Sequence, residues 1–277
     1  MGLKRVRILF FFSLMLLCGV SGHSGLAQAV EPSQEYQDIY AKAMQAFLEE
    51  QYEDTLSLLE QAIALEPQQA NAYNLAGAAN VKLRNYNQAA TSFQQILALD
   101  PENMIAIFNL GESYFLLKDY TKSKQYFQTF LNIEGNSANA LARFKLLLCH
   151  LLGGNEESAR ATVVALRPTI SHPLAYYGNA ALHFHAGNND EARSYLKSAF
   201  EIYPGGVNLA FADSLVELGW LERNEVAQIG AVNAAALQSL SREFQPDIEQ
   251  DDSNALFKRF DSLLPSIGGD DKNSENP

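Results

Sequence analysis

The chain has 277 residues, 47% of them hydrophobic and 19% charged, with a formal net charge of −12. Such a composition excludes a largely disordered protein. The acidic balance repels phosphate backbones, which argues against a nucleic-acid partner.

The first element is a leader. Lys4, Arg5 and Arg7 form a basic start, Ile8 to Val20 an apolar run, and Ala27-Gln28-Ala29 a small-x-small site before Val30. That order reads as a secretory signal peptide over 1–29, so the mature chain is expected to be exported, either periplasmic or secreted. The apolar run is shorter than the ~20 residues of a spanning helix, and no later segment is long enough, so no integral span is expected after cleavage. Lipidation at Cys18 is the weaker alternative, because Leu17 is large where a lipoprotein leader carries a small residue. Cleavage after Ala29 leaves 17 basic against 32 acidic residues, a net charge of −15, and Cys149 as the one cysteine. An intramolecular disulfide is then impossible.

From Pro32-Ser33 onward the chain reads as paired amphipathic helices, with Ser33 a candidate N-cap. Helices are expected over about 34–49 and 53–65, the latter closed by Pro67. The stretch from Tyr73 to Pro101 holds a second pair, joined at Leu83-Arg84-Asn85; its ending Ala98-Leu99-Asp100-Pro101 echoes Ala64-Leu65-Glu66-Pro67 at a spacing of 34. A third pair carries Ile107, Leu110, Gly111 and Tyr114, then Ser123, Phe127 and Phe130. The fourth, from about Ala138 to Arg167, is two residues too long, and the sequence leaves open where the extra residues lie. The fifth carries Tyr176, Ala180, Ala192, Leu196 and Pro204. Units of about 36–69, 70–103, 104–137, 138–172 and 173–206 follow, with degenerate capping helices over 205–244. Residues 245–277 read as an acidic linker, a short apolar stripe of Leu256, Phe257, Phe260, Leu263 and Leu264, and a glycine-rich acidic tail.

Period and pattern resemble the tetratricopeptide repeat family, through Tyr73, Gly77, Ala89, Phe93 and Pro101, and again through Leu110, Gly111, Tyr114 and Phe127. The resemblance implies an all-α fold, a right-handed solenoid of about five helix-turn-helix repeats with a capping pair. Gly77, Gly111 and Ala180 are expected to let paired helices approach closely, with Phe93 and Phe127 filling the space beside them.

Catalytic patterns are missing. No phosphate-binding glycine motif occurs, and Gly153-Gly154, Gly205-Gly206 and Gly268-Gly269 read as turns. Cys149 and His150 are helix neighbours pointing a quarter turn apart, and His183 and His185 lie on different faces with no third ligand. No enzyme activity, metal or cofactor is expected.

A second stripe runs along the first helix of each pair. It comprises Gln37, Tyr40, Met44 and Phe47; Asn71, Asn74, Ala78 and Val81; Ile105, Phe108, Glu112 and Phe115; and Leu174, Tyr177, Ala181 and Phe184. Glu112 is the one charge among the sixteen. The resemblance implies that this stripe lines a concave groove for a protein or peptide with apolar anchors. Candidate groove residues are thus Tyr40, Met44, Phe47, Asn71, Asn74, Val81, Ile105, Phe108, Phe115, Tyr177 and Phe184. The competing reading packs these positions, the last of each helix above all, on the neighbouring repeat. The expected function is an exported scaffold or adaptor in envelope assembly or secretion. The alternative is a self-assembling or autoinhibited protein whose carboxy-terminal stripe occupies the groove, and a homo-oligomer is one form of it.

Overall fold

The computed structural model describes residues 32–133, 139–166 and 172–230. The leader, Cys18, the capping residues beyond 230, and the linker, stripe and tail of 245–277 lie outside the described residues. Eleven helices follow in order: α1 (Gln34–Leu48), α2 (Tyr52–Leu65), α3 (Ala70–Lys82), α4 (Tyr86–Leu99), α5 (Met104–Leu116), α6 (Tyr120–Asn132), α7 (Ala140–Leu152), α8 (Glu156–Ala165), α9 (Leu174–His185), α10 (Asn189–Ile202) and α11 (Gly205–Glu217). Residues 223–230 form a further helical segment, and no strand occurs among the described residues. The fold is an all-helical solenoid of helix-turn-helix repeats.

Each pair is joined by the same turn. Its left-handed residue recurs at Glu50, Arg84, Lys118, Gly154, Gly187 and Gly219, with φ between 60° and 82°. In every case the next amide donates back to the carbonyl five residues earlier, as in Gln51 to Ala46 and Asn85 to Asn80 at 2.9 and 2.8 Å. These are Schellman closures, which satisfy carbonyls orphaned at a helix end. Glycine suits that conformation; Glu50, Arg84 and Lys118 hold it at a steric cost of about 1 kcal/mol each. Helix starts are fixed in part by side chains, among them Ser33, which accepts from the Tyr36 amide at 3.3 Å as the sequence indicates.

The turn residues also settle the fourth repeat. α7 begins 36 residues after α5, whereas α8 follows α7 by the same 16 residues that separate α6 from α5. The two extra residues therefore precede α7. Within pairs, Gly77 and Gly111 sit against buried Phe93 and Phe127: a Cβ on Gly77 would lie 2.5 Å from the Phe93 ring. In the third pair Ser123 donates to the Gly111 carbonyl at 2.8 Å, fastening α6 to α5.

Candidate functional site: the inner face of the first helices

The stripe falls on the first helices, but the structure divides it into two halves. In the amino-terminal half the side chains stay partly open. Tyr40, Met44 and Phe47 on α1 are half-buried, Tyr40 stacking on Tyr36 at 5.9 Å between ring centroids and Phe47 meeting the edge of Tyr52 at 5.4 Å. On α5, Ile105 is 41% exposed. Phe108 is half-buried and rests edge-on against Phe127 and Phe130, at 5.4 and 5.2 Å. Its neighbour Met104, outside the stripe, is 46% exposed. Val81 is half-buried and packs on the core of the second pair.

The two asparagines are already engaged. Tyr36 donates from its hydroxyl to Asn71 Oδ1 at 2.6 Å, and Asn109 Nδ2 donates to Asn74 Oδ1 at 3.3 Å. Both bonds run between successive repeats, so these amides fasten the first three pairs together. Burial pushes the Tyr36 phenol up, and Tyr40 beside it adds to the shift.

In the carboxy-terminal half the stripe is core. Phe115, Tyr177 and Phe184, expected on an open groove, are 3%, 0% and 5% exposed. Phe115, at the end of α5, is covered by Tyr120 and Lys145; Tyr177 and Phe184 are covered by α11, which packs on both α7 and α9, and by the residues just after it. Phe211 of α11 lies 5.4 Å from Phe144 and 5.2 Å from Tyr177. The Tyr177 hydroxyl donates to the Asn208 carbonyl at 3.1 Å, and Trp220, just beyond α11, stacks on Phe184 at 6.0 Å. The competing reading, in which the last stripe position packs on its neighbours, describes Phe115 and Phe184 correctly.

A buried ionic group closes this half. Lys145 on α7, its side chain 3% exposed, places Nζ 2.9 Å from Glu112 Oε2 on α5 and 3.0 Å from Glu217 Oε2 on α11. The same ammonium lies 4.7 Å above the Phe115 ring. Burial alone would lower the Lys145 pKa, but the two carboxylates override it and hold the ammonium charged. Burial raises the Glu112 carboxyl, with Lys145 opposing. Stripe periodicity did not reveal this trio. Its signals in the sequence were Lys145, a charge inside the apolar run from Phe144 to Leu152, and Glu112, the one charge of the stripe.

Of the other chemistry-bearing side chains, Cys149 is buried, His183 half-buried and His185 exposed. Cys149 donates to Ser123 Oγ at 3.1 Å and has its thiol pushed up to about 12 by burial. His183 stacks on Tyr195 at 5.5 Å. Among the described residues no group of three or more His, Cys, Asp or Glu side chains is placed to hold a metal ion, and no helix is long and apolar enough to cross a membrane.

With this geometry in place, the comparisons are specific about fold. Residues 75–135, from within α3 to just past α6, match the model of the tetratricopeptide repeat family. The MamA RS-1 ArsTM double mutant is similar at 16% identity and a TM-score of 0.50, covering 62% of this chain and 96% of its own. The thermophilic TPR protein TTC0263 of Thermus thermophilus aligns at 21% identity and a TM-score of 0.46, over 65% of this chain and 99% of its own. YrrB, described as a TPR protein with an unusual peptide-binding site, aligns at 23% identity and a TM-score of 0.46, over 64% and 91%. No curated protein matches the sequence. Residues 75–135 thus carry the tetratricopeptide repeat, and the helical solenoid is similar in fold to proteins built of that repeat.

Proposed function

We propose that the protein is an exported adaptor that holds a segment of a partner protein against the inner face of α1, α3 and α5, in assembly or secretion at the cell envelope. The observation that carries this is the open apolar surface of the first three pairs. Met104 and Ile105 are exposed, and Tyr40, Met44, Phe47 and Phe108 are half-open, on a chain whose net charge is −12. Solvent-facing apolar groups grouped on a repeat array suit a partner that brings apolar anchors of its own. Export rests on the basic, apolar and small-residue order of 1–29.

Binding is tested with peptides selected by display against residues 30–277. Burying one anchor contributes roughly 1.5–3 kcal/mol, or about 10- to 150-fold in affinity. Ile105→Glu and Met44→Glu should each weaken a selected peptide by at least about tenfold. A charge on the far side, Val164→Glu at a residue 86% exposed on α8, should leave it unchanged. Equal affinity in all three variants refutes the assignment. Export is tested separately by the mature mass, expected to begin at Val30; retention of 1–29 contradicts it.

A further inference from the structure

A solenoid of this kind leaves the inner faces of its first helices free unless something covers them. Here the chain covers part of that face itself. α11 and the Trp220 that follows it lie on Phe144, Tyr177 and Phe184; the counterparts of Phe144 and Tyr177 stay half-buried in the first three pairs, and those of Phe184 in the first two. Phe211 and Leu215 of α11 are buried in that contact.

The contact is tied by charge as well as by packing. Lys145 reaches Glu112, 33 residues before it, and Glu217, 72 residues after it. Glu112 Oε1 is buried without a hydrogen-bond partner. Two carboxylates on one ammonium leave a surplus negative charge in a site removed from water. Losing Lys145 strands two buried carboxylates, and losing Glu217 removes the one charge that ties α11 to α7. Glu217, at 23% side-chain exposure, is the most open member and the only one on α11. A second polar contact sits nearby, Arg223 Nη1 at 3.5 Å from Asp213 Oδ1.

We infer that Glu112, Lys145 and Glu217 form a clasp that keeps α11 seated on α7 and α9. Its release turns Phe144, Tyr177 and Phe184 into a continuation of the partner face of α1, α3 and α5. The clasped protein offers three first helices to a partner, and the released protein offers five. The gain in partner surface rests on the reading of the inner face given above; the clasp itself is tested with no partner present.

Trp220, the one tryptophan in the chain, stacks on Phe184 and reports the seating of α11 directly. Glu217→Gln removes the α11 charge while leaving Lys145 with Glu112. Its tryptophan emission should shift to the red, with acrylamide quenching rising about twofold. Amide exchange over 205–230 should quicken at least tenfold, while exchange over 104–116 and the far-ultraviolet circular dichroism stay as in the parent. Lys145→Met should do the same more strongly; should it fail to fold, the Glu217→Gln measurement stands on its own. The triple Glu112→Gln, Lys145→Met, Glu217→Gln lacks the ionic tie altogether and should stay released, with quenching and exchange at least as high as in Glu217→Gln; parent-like values would mean that packing alone seats α11 and would overturn the clasp. Unchanged emission and unchanged exchange in Glu217→Gln overturn the clasp, whatever the peptide measurements show. A released α11 with no gain in peptide affinity would leave the clasp standing and overturn the inner-face reading.

Discussion

Substituting Gly77 by alanine tests how the repeat is held together. In an exposed helix interior this change stabilises by about 1 kcal/mol, because alanine has the better helix propensity. Here the new Cβ would meet Phe93 Cε1 and Cζ at 2.5 Å. Carbon atoms rest at about 3.5–4.0 Å, so the ring must retreat by about 1 Å. Phe93 has no room to do so, being fully buried between α3 and α4. Overpacking of that kind costs about 1–3 kcal/mol, leaving a net loss of about 0–2 kcal/mol after the propensity gain. At about 2–4 °C per kcal/mol for a folded region of this size, the melting temperature should fall by up to about 8 °C. Gly206 is the control: nothing lies within 4 Å of a Cβ there, so Gly206→Ala should be neutral or stabilising by up to about 1 kcal/mol. Differential scanning fluorimetry of both variants decides the sign. A second check adds Phe93→Leu, in whose background Gly77→Ala should lose most of its penalty through coupling of adjacent sites. A Gly77→Ala protein that melts above the parent, or strictly additive effects with Phe93→Leu, would refute the close-approach account.

Three further outcomes are expected. Lys118 holds φ 60°, so Lys118→Gly should raise stability by about 0.5–1 kcal/mol in urea unfolding; a loss would mean that the side chain contributes more than the strain. Cys149, buried and with its thiol pushed up to about 12, should resist a thiol-reactive dye at pH 8 in the native protein and react at once in denaturant; fast native labelling contradicts the packing of α7 on α6. Burial raises the Glu112 carboxyl above its ordinary value, with Lys145 opposing, so the folded chain keeps a proton that the unfolded chain has lost. Stability referable to this group is therefore greatest below the unfolded pKa of about 4.3 and declines as pH rises toward the folded value. Relative to the parent, Glu112→Gln should gain as pH goes from 4.5 to 8, and a gap that does not vary with pH would contradict the burial.

The fold was legible because its determinants are local and periodic. Gly77 with Phe93, Gly111 with Phe127, and Pro67 and Pro101 each act within about one repeat, so a spacing of 34 carried them. The turn at Gly153-Gly154 was equally plain, though Arg84 and Lys118 held the same conformation without a glycine to announce it. The inner face was only half legible. Stripe periodicity says which side of a helix a residue occupies, and Tyr40, Ile105 and Phe108 on that side keep partly open side chains. What covers that side depends on contacts between distant repeats, and no period encodes those. Tyr177 and Phe184 thus resembled groove residues until α11 was seen lying on them. The role of Lys145 is hidden from periodicity for the same reason, since its partners stand 33 and 72 residues away. The carboxylate at Glu112, the odd residue in an uncharged stripe, was the trace of that arrangement.

The central claim is that the open inner face of the first three pairs receives a partner segment. A photo-crosslinking residue placed at Ile105, and in a separate variant at Val164, tests it most directly with a display-selected peptide. Crosslinking at Ile105 that competes away with unlabelled peptide, and none at Val164, is the result expected. Equal labelling at both positions, or labelling at Val164 alone, would contradict it.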